Sequence, residues 1–144
     1  MTTYLSPHVT LEEMILSQTA SRLGIDNTPT PEIISNLTQT ANLIEQVRSL
    51  LGDLPIIISS GYRSLALNSA VGGVPSSAHT QGMAADILCP NYGNPYSVCK
   101  AIEASTIDFD QLIYEFAAWT HIAWAPNNRR QILTIDSNGS RFGI

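Results

Sequence analysis

Apolar residues follow two spacings along the chain, and the switch between them predicts where helices give way to strands. Leu11, Met14 and Ile15 share one face of a short helix over roughly residues 11–18, with Thr10 and Glu13 as a capping-box pair in front of it. The polar stretch SRLGIDNTPT (21–30) reads as a loop. Thr30 then caps a second helix that has Pro31 at its first position. Ile33, Leu37, Ile44, Val47 and Leu51 recur at helical spacing until Gly52, which predicts a long helix over about 31–51.

Past Leu51 the period changes. PIIISS (55–60) is a β-branched run that reads as a buried strand ending at Gly61. A turn or two of helix is expected around 64–70, followed by a Gly/Pro/Ser loop. AADIL (84–88) is a second strand, and residues 95–105 form a helix with Val98, Ala101 and Ile102 inward. DQLIYEF (110–116), THIAW (120–124) and RQILTID (130–136) have strand character, and their short connections favour antiparallel pairing. Helices come first and most strands later, so the predicted fold is α+β: a central antiparallel sheet with helices packed on one face.

A length of 144 residues fits a single domain, 1–144, able to bury a core of its own. Charged residues are only 13% of the chain and the net charge is -5, which removes the basic footprint of a nucleic-acid binder and disfavours an anionic membrane surface. No run of eighteen apolar residues and no basic-then-apolar leader is visible, so neither a membrane span nor an export signal is expected. Cys89 and Cys99 are the only cysteines, and their spacing fits no paired zinc or redox motif. Both read as small buried residues.

The chemistry rests on few groups. There are three histidines, His8, His79 and His121. His79 sits in a loop entering the strand that carries Asp86, and His121 lies within another strand. Two imidazoles and one carboxylate, with a fourth position left open, are the ligand set of a catalytic rather than a structural zinc. Gly82, Ala84 and Ala85 leave room for the backbone to turn tightly and bring Asp86 back toward His79. The plain alternative is a polar loop entering a buried strand. His8 has no motif around it and reads as an exposed N-terminal histidine.

SGYRS (60–64), LNSAVGG (67–73), SSAHTQGMAADI (76–87), DQLIYE (110–115) and WTHI (119–122) together resemble the M15 zinc peptidases. That group includes D-alanyl-D-alanine carboxypeptidases and phage endolysins and shares a metal-site fold with the hedgehog signalling domain. TLEEMILSQTASRLGIDN (10–27) is similar to its small phage and prophage branch. The resemblance implies zinc ligands at His79, Asp86 and His121, a substrate carboxylate on Arg63, and a substrate contact near the scissile bond from Ser77. An arginine fork matches a carboxylate in a way lysine does not. Many members place a glutamate three residues before the last histidine, where this chain has Ala118. Glu115, six before His121, is the candidate general base, with an exposed strand glutamate as the alternative. Trp119 either walls the cleft or packs in the core.

The expected function is therefore zinc-dependent hydrolysis of peptide bonds in peptidoglycan stem peptides, with one zinc per chain and the protein a monomer. The carboxypeptidase and endolysin types stay open. The expected setting is the bacterial cell wall, reached after phage holin release or as a virion component. The rival reading is a non-catalytic module on the same fold that binds peptidoglycan or a partner.

Overall fold

The computed structural model describes residues 2–144. A small hairpin, β1 (Tyr4–Ser6) with β2 (Val9–Thr10), leads into α1 (Leu11–Ile15). Thr10 and Glu13 make the reciprocal capping box that their spacing predicts. The helix ends earlier than expected because Ser17 caps a new one, α2 (Gln18–Leu23), which occupies the first part of the stretch read as loop. Gly24 closes α2 in the left-handed conformation, at φ +67°. Next comes α3 (Pro31–Leu50), capped by Thr30 with Pro31 in its first turn.

The main sheet has six strands: β3 (Ile57–Ser60), β4 (Ala84–Leu88), β5 (Gln111–Glu115), β6 (Trp119–Ala123), β7 (Gln131–Asp136) and β8 (Gly139–Phe142). Their spatial order is β3-β4-β6-β5-β7-β8. Helix α4 (Leu65–Ala70) follows β3, and α5 (Pro95–Glu103) follows β4. Two expectations are corrected. The sheet is mixed, because β7 pairs with β5 in parallel while the other pairs are antiparallel. Strand β6 is already flanked by β4 and β5, so the chain crosses from β6 over β5 to reach the free side of β5. The run at 55–60 is an edge strand, with Ile57 exposed, rather than a buried one.

Strand alternation divides the sheet into two faces. Ala85, Ile87, Leu112 and Ile122 point toward α3 and α5 and join Leu37, Ile44, Val98 and Ile102 in one core. Full burial of a Leu or Ile side chain contributes about 1.5–3 kcal/mol, so this layer fixes the strands against the helices. Intervening residues, Asp86, Ile113, Glu115 and His121, face a cleft on the opposite side. Among the described residues no helix is long and apolar enough to cross a membrane.

Candidate metal centre and cleft

Sheet register brings two of the three predicted ligands together. Asp86 on β4 stands directly opposite His121 on β6. Their side chains share the cleft face, and His121 Nδ1 lies 3.0 Å from Asp86 Oδ1.

His79 arrives from a 3₁₀ turn, Ala78–Gln81, capped by Ser77 and closed by Gly82 at φ +72°. A β-carbon on Gly82 would meet Ile33 and Leu37 of α3 at 3.1 Å, so conformation and space both require glycine there. His79 Nε2 lies 3.3 Å from Asp86 Oδ1. Its Nδ1–H donates to the Gly61 carbonyl at 2.7 Å, which fixes the ring orientation and leaves Nε2 turned toward Asp86.

Gly61 in turn is pressed against α1: a β-carbon on it would lie 2.3 Å from the Met14 carbonyl oxygen, which also accepts from Tyr62 N–H at 2.7 Å. Asn27 ties the same loop down, donating to the Ile15 and Tyr62 carbonyls and accepting from Ser64 N–H. The N-terminal region thus holds the carbonyl that aims His79.

One ligand atom each from His79, Asp86 and His121 all lie within 4.8 Å of one another, and all three residues are buried. Burial pushes the Asp86 carboxyl up, but hydrogen bonds and charge from His121 and His79 outweigh it and hold the group well below the usual carboxylate range. Two buried imidazoles converging on one ionised carboxylate fit a divalent cation such as zinc, which would replace the protons these groups otherwise share.

Other predicted residues surround this cluster. Glu115 Oε1 is 3.7 Å from His121 Nδ1. Burial raises its carboxyl above the usual range, opposed by His121 and Arg63 and reinforced by Asp86. Trp119 lines the cleft; it lowers the Glu115 carboxyl, the least of these influences, and its buried indole Nε1–H has no hydrogen-bond partner among the described residues. The turn between them is tight, with Phe116 at φ +53° and Ala117 at φ +54°, a left-handed geometry that costs these residues energy.

Arg63 also lines the cleft. Its Nη1 donates to Asn68 at 3.1 Å, while Nε is buried without a partner among the described residues. The Ser77 oxygen accepts from His79 N–H at 3.2 Å, so its own hydroxyl hydrogen remains free to donate into the cleft.

Sequence reasoning missed the supports. Asn68 is buried, donates to the Val74 carbonyl and holds Arg63; a β-carbon on Gly73 would collide with its Oδ1 at 2.1 Å. LNSAVGG contains both residues, and the pairing of a helical Asn with a Gly five positions on was the available signal. Arg129, which also lines the cleft, had no motif to mark it. Cys89 and Cys99 are free and buried, as read. His8 is exposed, and its Nδ1 pairs with Glu45 at 2.7 Å.

A mixed sheet with a buried His-Asp-His cluster opening into a cleft defines a candidate metallohydrolase centre. The model of the family described as Peptidase M15 matches residues 7–123, and the chain belongs to that family. Over 59 residues it is 40% identical to the zinc D-Ala-D-Ala carboxypeptidase of Streptomyces albus G, an alignment covering 41% of this chain and 23% of that protein. The chain therefore matches less than a quarter of that relative's length.

Proposed function

We propose that the protein is a zinc-dependent peptidase that cuts peptide bonds in peptidoglycan stem peptides. The observation that carries this reading is the convergence of His79, Asp86 and His121 with Glu115 beside them at the floor of a cleft. Zinc, held by those three side chains, would supply a Lewis acid and acidify water for attack on a carbonyl.

The remaining work falls to the protein. Glu115, raised by burial, is suited to accept a proton from the attacking water and return it to the departing amine. Arg63, with a buried Nε–H that has no partner among the described residues, would hold a substrate carboxylate. The Ser77 hydroxyl would donate to the substrate near the scissile bond, and Trp119 would wall the cleft. Supporting the substrate class are the family assignment and the D-Ala-D-Ala carboxypeptidase relative. The reading takes one zinc per chain and a monomer; the single candidate cluster among the described residues supports the first. The proposed setting is the bacterial wall, reached after phage-type release or from a virion, and the resemblance to the phage branch is what supports it.

The test is incubation of zinc-loaded protein with muropeptides and mass spectrometry of the products. New peptide termini should appear, vanish with a chelator and return with added zinc. Intact muropeptides under every metal supplement would refute the proposal.

A further inference from the structure

We infer that Arg129 is a second carboxylate-binding residue of the cleft, so that the substrate carries a free carboxylate on each side of the bond that is cut. This rests on the peptidase reading above and adds to it the substrate's charge pattern.

The cleft, about 890 Å³, contains the His-Asp-His cluster and has an arginine toward either end. Register places them on opposite sides of the cluster. His121 faces Ile113 across the β5–β6 pair, and Glu115 faces Trp119 at the turn end of the same hairpin. Arg63 lies on that side: with Trp119 it forms the wall shared with an adjoining cavity that reaches Leu16 and Ile58. In the other direction along β5 come Gln111 and then Asp110, three residues from Ile113, or about 10 Å at the rise of a strand. Arg129 is bound to Asp110 at that end.

Arg129 is held like a tool rather than left as a loose surface cation. Its Nε donates to Asp110 Oδ1 and its Nη2 to Oδ2, both at 2.9 Å, and its backbone N–H reaches Oδ1 at 3.1 Å. Asp110 is itself fixed, with its N–H on the Ala123 carbonyl and its carbonyl accepting from Gln131 N–H. The Asp110 side chain is 12% exposed while that of Arg129 is 58% exposed. Nη1 has no protein partner among the described residues, and Nη2 has used one of its two hydrogens. The outer edge of the fork therefore remains open for a second carboxylate, already oriented, so little side-chain entropy would be lost on binding. Asp86 and Glu115 make the floor acidic.

The experiment uses zinc-loaded full-length protein and a panel of stem peptides, each with one free carboxylate replaced by carboxamide. Arg129→Gln should raise KM at least tenfold on the all-acid peptide with little change in kcat. For one amidated peptide the penalty should shrink below twofold, and that peptide should differ from the one that abolishes the penalty of Arg63→Gln. Because Arg129→Gln leaves Asp110 unpaired, the Asp110→Asn/Arg129→Gln double variant and Arg129→Lys are measured alongside; the first should match Arg129→Gln and the second should recover only part of the loss. A penalty equal across the panel, or none at all, overturns the inference while the peptidase reading stands. If wild-type protein cuts no member of the panel, the peptidase reading fails and this inference with it.

Discussion

Substitution of Gly61 by alanine probes how the candidate metal centre is supported, since no side chain of the cluster is touched. The new β-carbon would sit 2.3 Å from the Met14 carbonyl oxygen and 3.0 Å from its carbon, both backbone atoms that cannot rotate away. Either α1 or the loop must shift. Such overpacking costs about 1–3 kcal/mol, and the Tyr62 N–H to Met14 carbonyl bond is at risk, adding about 1 kcal/mol. For a chain of this size a loss of about 2–4 kcal/mol lowers Tm by roughly 6–12 °C. The same shift moves the carbonyl that orients His79 Nδ1, and loss of such an outer partner costs about 10–100-fold in metal affinity. Differential scanning calorimetry of metal-free protein and zinc titration against a competing chelator report the two effects separately. A Gly61→Ala protein with wild-type Tm and wild-type zinc affinity would refute the close-packed support described here.

Three further outcomes are expected. Glu115→Ala should bind zinc as the wild type does but lose about 10²–10⁴-fold in turnover, measured on muropeptides; undiminished turnover would place the base elsewhere. Burial pushes the Cys99 thiol up to about 11, and Cys89 is equally enclosed, so an alkylating reagent at pH 8 should label both cysteines only on unfolding. Rapid labelling of native protein would contradict their burial. The hydrogen bonds from Arg129 lower the Asp110 carboxyl, so its contribution is present above the unfolded carboxyl pKa near about 3.9 and fades as pH falls through the folded value. The Tm difference between wild type and Asp110→Asn should therefore narrow on acidification from pH 6 to pH 2, and a difference that widened would reverse the sign.

What could be read from the sequence was mostly local. Thr30, Pro31 and a 3.6-residue apolar repeat specify α3 without reference to the rest of the chain, and the small-residue run Ala84–Ala85 next to Asp86 marks β4. The His79, Asp86 and His121 cluster was legible because His79 and Asp86 lie within one short motif and because histidines are few. Strand β3 looked buried since Ile56, Ile57 and Ile58 are β-branched, yet edge position is a matter of sheet order, which residue types do not encode. Likewise the parallel β5–β7 pair arises from competition for the two sides of β5. Strand β8 is exposed along its whole length and carries no alternation to reveal it. The supports of the site, Gly61 on Met14, Asn27 on Tyr62 and Asp110 on Arg129, are contacts between separated segments. Only the folded backbone places them side by side.

X-ray absorption at the zinc edge, on protein reconstituted with the metal, tests the coordination most directly. Two imidazole nitrogens at about 2.0–2.1 Å with oxygen completing the shell, and loss of bound zinc in Asp86→Ala, are the predicted result. A sulfur shell from Cys89 or Cys99, or a spectrum unchanged by His121→Ala, would contradict it.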